Sequence, residues 1–592
     1  MKKSYSLLPA VILLSSCGGS NNPPPPPVST EPAITACPKK GGEEEKSYVP
    51  MDQQELLSGI MAGKGDEVFL DAFEHGDLIF GTKFTMGQGG GAFIGGNEPS
   101  HYTRIPRADL NAPGEWGDMT RLVMRPTGPN AQSCGSCHSQ PVDDGAGPTS
   151  VNVHRIPQLK NPALTIQRNT PHVFGLGALQ RLAEEMSYEI RDTISRTSKA
   201  ACAEKNQKTE PFTAKGVNFG RVTIGCEGGT AHIIAQESAL EGVSPDGVVR
   251  PYEWKKNVAF LRDFMRHAGN NEIGMQGVEL VGKDVDEDHD GSKNELSVGD
   301  MTAFTVYMAA QARPVTKIEL DDLGILAANK QKLKPEERKQ IQRGEKAFDS
   351  IGCSTCHKPE LTLDSSGFQE PSNSPYHRDD RKLFKTKGQV QVDMEAEGVK
   401  PEHPVKFDLA KDQPDNRFCQ GSKETLLGAF EKHNGKTIVR LYGDLKRHWM
   451  GPDLAERVDE LEEPEKYGSE EPNEEYGGHM SLVNYDPINK ILPPESYPPY
   501  DPVKSKAIFG TRELWGVACT GPWMHDGRAT TLKDAIELHG GEAEESSEKF
   551  KALSESEQKD LIAFLGNLVL YVNTAENGKT PDPLSEQCEV KG

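Results

Sequence analysis

The chain has 592 residues, with 89 Asp and Glu against 67 Lys and Arg and a formal net charge of −22. So acidic a surface argues against nucleic acid as a partner and against docking on anionic lipid through basic patches; it suits a basic partner, and solubility alone accounts for it equally well. The length suits two to four domains.

Lys2 and Lys3 precede a short apolar stretch, and Leu14-Ser15-Ser16-Cys17 follows it. This is the pattern of a bacterial lipoprotein signal over residues 1–17, with Cys17 as the lipidated residue, and the stretch is too short to span a bilayer. Residues 18–60, with the run Pro23 to Pro27, form a stiff tether with little core-forming sequence. The expected location is extracytoplasmic, lipid-anchored to a bacterial membrane on the periplasmic or outer surface.

Residues 61–316 make the first folded half. Gly76-x-x-x-Phe80 is followed by a Gly-rich stretch and then by Cys134-Gly-Ser-Cys137-His138. Cys-x-x-Cys-His is the spacing that attaches a c-type haem: the two thiols form thioethers and the histidine reaches the iron. A helical segment over 253–267 comes next, then Asp286-x-Asp288-x-Asp290-Gly291-x-x-x-Glu295. Alternate acids around a glycine turn direct hard oxygens at one cation, so a calcium loop is expected there. The twelfth EF-hand position is Ser297, which leaves Glu295 or Asp300 to supply the last oxygen. A helix over 298–312 closes this half, and 317–334 is the linker.

Residues 335–592 repeat the plan. Pro335-Glu336-Glu337 opens a helix, proline and early acids both favouring its first turn. Gly344-x-x-x-Phe348 leads to Cys353-Ser-Thr-Cys356-His357. The glycine lets a second helix approach closely. That partner is the terminal helix, which starts at the capping box Ser554-Glu-Ser-Glu557 and carries an apolar stripe at Leu561, Ile562, Leu565 and Leu568. Two Cys-x-x-Cys-His motifs predict two covalently bound haem c groups. Of the 11 cysteines, one lipid site and four thioethers leave Cys37, Cys202, Cys226, Cys419, Cys519 and Cys588. An even remainder in an oxidising compartment fits up to three disulfides, with Cys202–Cys226 the expected pair. No sustained period-2 pattern appears, so the fold class is mainly α: two c-type cytochrome-like haem domains with long irregular insertions.

Near the C-terminus stand Thr511-Arg-Glu-Leu-Trp515-Gly, Gly521-Pro-Trp-Met-His525-Asp-Gly-Arg528 and Ala535-Ile-Glu-Leu-His539-Gly-Gly-Glu542. Together with Leu441-Tyr-Gly-Asp-Leu-Lys-Arg-His448 and Arg168-Asn-Thr-Pro171, they resemble the di-haem oxidoreductase family, related to bacterial di-haem cytochrome c peroxidases and MauG. The resemblance implies roles by position. His539, fourteen residues after His525, would be the second axial ligand beside His357, where the relatives carry Met or Tyr. His154 would lie opposite His138. Gln180, Glu184 and Glu185 would handle protons, although the relatives' Trp-Asp-Gly-Arg is not found in the first half. The implied activity is a peroxidase-like di-haem c oxidoreductase, with electrons entering at the C-terminal haem and the oxidant reacting at the N-terminal one. Its partners would be a redox protein, as electron donor or acceptor, and peroxide or another small oxidant. The competing function is an electron-transfer cytochrome with no substrate site.

Overall fold

A computed structural model describes residues 48–90, 131, 133–138, 152–155, 166–286, 291–328, 330–378, 392–411, 429–456, 490–497 and 501–571. The lipoprotein signal with Cys17 and most of the tether lie outside them. Among the described residues no helix is long and apolar enough to cross a membrane.

Two helix pairs carry the architecture. The helix Gly65–Gly81 packs on Val298–Ala309, and Pro335–Ser350 packs on Glu555–Leu565. One device brings each pair together. A Cβ on Gly76 would lie 2.4 Å from both the Ala303 carbonyl oxygen and the Tyr307 Cβ, and one on Gly344 would lie 1.9 Å from the Asp560 carbonyl oxygen. Only glycine permits backbones this close. Capping boxes start the partner helices, Ser297 with Asp300 and Ser554 with Glu557, satisfying N–H groups that the first turn leaves unpaired. Phe348, Leu561, Phe564 and Leu565 close the core of the second pair.

The expectation of a mainly α fold is corrected. Six small sheets stand beside the helices among the described residues. The largest is antiparallel and four-stranded, built from Lys208–Ala214, Val217–Glu227, Thr230–Ile233 and Ala239–Leu240. Its period-2 pattern is hidden by a phase slip. Val217 and Phe219 face inward, but so do Val222 and Ile224, one residue out of step with them. The slip falls at Gly220, whose φ of 103° few other residues tolerate. A register shift between Pro211 and Thr213 blurs the neighbouring strand as well. The helical segment read over 253–267 shrinks to Leu261–Ala268, because residues 252–258 form a bridged turn instead.

The helix Leu176–Glu204 runs into this sheet and is tied to it by the Cys202–Cys226 disulfide, as expected from sequence. Cys519 is also disulfide-bonded. The segment joining the two halves is held at its start: Val315–Thr316 pairs antiparallel with Leu568–Val569. The Lys317 N–H also donates to the Asn567 carbonyl at 2.9 Å. The largest apolar cluster runs from Phe69 and Tyr307 to Leu441 and Trp515, so both halves share one core.

Candidate functional site

Each Cys-x-x-Cys-His segment borders a cavity. The larger, about 400 Å³, is bordered by Cys353, Cys356, His357, His448, His525 and His539. The helix ahead of the motif ends at Ser350, and Gly352, with a φ of 96°, turns the chain into the short 3₁₀ turn Cys353–Thr355. His357 Nδ1 lies 3.1 Å from the Tyr442 carbonyl, and His539 Nδ1 lies 2.7 Å from the Ala535 carbonyl. A carbonyl only accepts, so each Nδ1 carries the proton and each Nε2 keeps its lone pair. Burial, reinforced by the neighbouring His539, lowers the His357 pKa to about 4, and burial lowers that of His539 too. Both rings are therefore neutral imidazoles, the form that ligates metal.

Their ring centres are 6.4 Å apart. Two metal–imidazole bonds of about 2.0–2.1 Å, with each nitrogen roughly 1.2 Å from its ring centre, require about 6.4 Å. The spacing leaves room for one metal ion between the two rings. On the cavity's edge, His448 is hydrogen-bonded to Asp444 at 3.0 Å and to Glu542 at 2.7 Å. Burial lowers its pKa, but the contacts with Asp444, Cys356 and Glu542 outweigh burial and leave it at about 11. It is a buried imidazolium beside Cys356. His525 stacks on Phe509 at 4.2 Å, and burial lowers its pKa to about 4.

The smaller cavity, about 190 Å³, is bordered by Cys134, Cys137, His138, Phe80 and Phe304. Burial takes the His138 pKa to about 4, against the opposing influence of the Glu272 charge and the Pro171 carbonyl. That carbonyl lies beside the ring, yet His138 Nδ1 makes no well-aligned hydrogen bond among the described residues. His154 lies in the strand Asn152–Arg155, paired with Gln167; its side chain is outside the described residues.

The acid–base candidates are placed elsewhere. Gln180 and Glu184 are buried on one face of the helix Leu176–Glu204 and hydrogen-bond each other at 3.0 Å. Glu184 is further held by Arg181 and by the Ser372 hydroxyl, and Gln180 accepts from the Leu261 N–H. Glu185 pairs with Lys215 at 2.7 Å. None of the three borders the cavity at His138, whereas Glu253 and Glu272 do. Glu272 sits in a π-turn, Gly269–Ile273, that ends the helix Leu261–Ala268. Such turns recur at functional sites, and the sequence signal was Gly269-Asn-Asn at a helix end.

Asp286 accepts from the Gly291 N–H at 3.1 Å, which closes the turn of the acidic loop. Glu295 is turned inward and accepts from the Gln276 N–H at 2.7 Å. Asp288 and Asp290 lie outside the described residues.

The two cavities share a wall. Asn169, Pro171, His172, Trp254 and Arg512 border both. The Trp254 indole N–H donates to the Asn169 carbonyl at 3.0 Å, and the Asn169 N–H donates to the His525 carbonyl at 2.8 Å. His172 is held on both sides, Nε2 to the Trp515 carbonyl at 2.8 Å and Nδ1 accepting from the Phe174 N–H at 3.2 Å. Nothing in the sequence marked Trp254, and Arg512 stood in the Thr511–Trp515 motif without a role, because each joins the wall only when the halves pack.

The described residues thus place two Cys-x-x-Cys-His cavities on either side of one wall. Residues 503–568 match the family model described as "Di-haem oxidoreductase, putative peroxidase", which bears out the family resemblance read from the sequence. The matched stretch holds His525 and His539. The family match supports a redox function with haem as cofactor. A solved structure titled as a MauG-like protein associated with microbial copper homeostasis is similar at 14% identity and a TM-score of 0.24, over 69% of this chain and 91% of its own. Among curated proteins none matches the chain.

Proposed function

We propose that this chain is an extracytoplasmic, lipid-anchored oxidoreductase of the peroxidase type, with haem c joined at Cys134 and Cys137 and at Cys353 and Cys356. The observation that carries the proposal is the facing pair His357 and His539 at 6.4 Å. Bound haem would supply a one-electron redox couple at each centre. His357 and His539 would hold the haem of the C-terminal centre between them, a role suited to receiving and passing electrons. His138 offers one ligand at the N-terminal centre, where a small oxidant would react. Reducing hydrogen peroxide to water takes two electrons and two protons, and one electron from each centre meets the first demand. A carboxylate bordering the cavity serves the second as a relay, taking up protons from water and passing them one after the other to the departing oxygens. Glu272 and Glu253 stand in that position; Gln180, Glu184 and Glu185 instead fix the helix behind it. The donor would be a basic redox protein drawn to the acidic surface.

Electron paramagnetic resonance and optical spectra of the oxidised and half-reduced protein, with peroxide then added, test this reading. A high-spin centre that peroxide consumes is expected, beside a low-spin centre that His539→Ala converts to high-spin. Two low-spin centres inert to peroxide in every redox state would leave an electron-transfer cytochrome.

A further inference from the structure

Among the five described residues that border both cavities, Arg512 bears the only formal charge. Its guanidinium lies 5.0 Å from the Trp254 ring centre, a stack that fixes its plane. The nearest carboxylate, Glu513, is 3.9 Å away and is itself engaged by Lys256 at 2.7 Å. A guanidinium carries five N–H donors in a planar fork. At 23% side-chain exposure those of Arg512 are largely withdrawn from solvent, and no hydrogen bond to another described residue takes them up. A cation positioned by stacking, with its donors unspent, fits a carboxylate on its open side.

We propose that Arg512 is a positioning residue for both cofactors, its fork binding propionate carboxylates that reach the shared wall from the two cavities. This rests on the di-haem reading above. The wall then works as more than a spacer. One fixed positive charge near both centres favours the reduced, less positive state of each. Adjusting that charge shifts both centres in the same direction. The influence of Arg512 on the wall is already visible in His172, where it adds to burial in lowering the pKa to about 4.

The test is Arg512→Gln and Arg512→Lys in the full-length haem-loaded protein, read by haem content and by spectroelectrochemical titration. Two haems per chain are expected in each variant. In Arg512→Gln the midpoint potentials of both centres should fall; in Arg512→Lys, which keeps the charge but loses the fork, they should fall less. If only one centre moves, or neither does, while both haems are retained, the shared role is overturned. A wild-type chain that binds no haem would instead overturn the reading on which this one rests.

Discussion

Gly344→Ala is the sharpest test of how the C-terminal half is packed. The added Cβ would sit 1.9 Å from the Asp560 carbonyl oxygen and 2.8 Å from the Phe564 Cβ, where real contacts essentially never fall below 3.0 Å. The obstructing atom is backbone, so no side chain can swing aside, and the helices Pro335–Ser350 and Glu555–Leu565 must part by about 1 Å. A gap of that order forfeits a quarter to a half of the dispersion energy along the contact. Overpacking costs about 1–3 kcal/mol, with a rigid backbone neighbour at the upper end. Alanine's better helix propensity returns about 1 kcal/mol. The net loss is about 2 kcal/mol, which lowers the Tm of a domain this size by roughly 4–8 °C. Calorimetry on the variant measures it, with Gly81→Ala as the control, since a Cβ there meets nothing within 4 Å. A Gly344→Ala protein that melts at or above the wild type would refute the close-approach account.

Two further outcomes are expected. Lys256→Met strands the Glu513 carboxylate, which is 8% exposed and bound to the Lys256 amine at 2.7 Å. Urea unfolding should show a loss of about 3–5 kcal/mol, partly recovered in the double variant with Glu513→Gln; equal losses in both would dismiss the ion-pair explanation. Burial lowers the pKa of His172 to about 4 and of His377 to about 3, whereas an unfolded histidine titrates near 6.5. At these two sites the unfolded chain thus binds protons the folded one refuses, so their contribution to stability is full above pH 6.5 and declines as pH falls toward 4. Melting temperatures between pH 6.5 and 5, above the carboxylate range, should already fall, and a flat profile there would contradict the assignment.

What the sequence made legible was local. The two Cys-x-x-Cys-His motifs, the glycines of Gly76-x-x-x-Phe80 and Gly344-x-x-x-Phe348, and the Ser554 capping box each act within a few residues, so spacing reveals them. The family pattern pointed to His539, which borders the same cavity as His357 with its Nδ1 on the Ala535 carbonyl one turn earlier. The four-stranded sheet was missed because Gly220 breaks the alternation that would have announced it. Gln180 and Glu184 share a helix face as expected, but that face meets Leu261 and Ser372 and not the cavity. Which side a helix turns to a cofactor is decided by what packs behind it, here a segment about 190 residues further on.

The strand pair Val315–Thr316 with Leu568–Val569 bears on how the chain comes to be made. The Ile318 N–H and its acceptor, Asn567 Oδ1, are separated by 249 residues. The end of the first half therefore gains this strand partner only after a further 249 residues have emerged, and so distant a closure comes late and slowly. A chain cut short before residue 567 would leave that edge open and prone to pair with a neighbour. Completing the C-terminal helix is thus a condition for sealing the N-terminal half, and the strand pair then ties the start of the linker to the last helix.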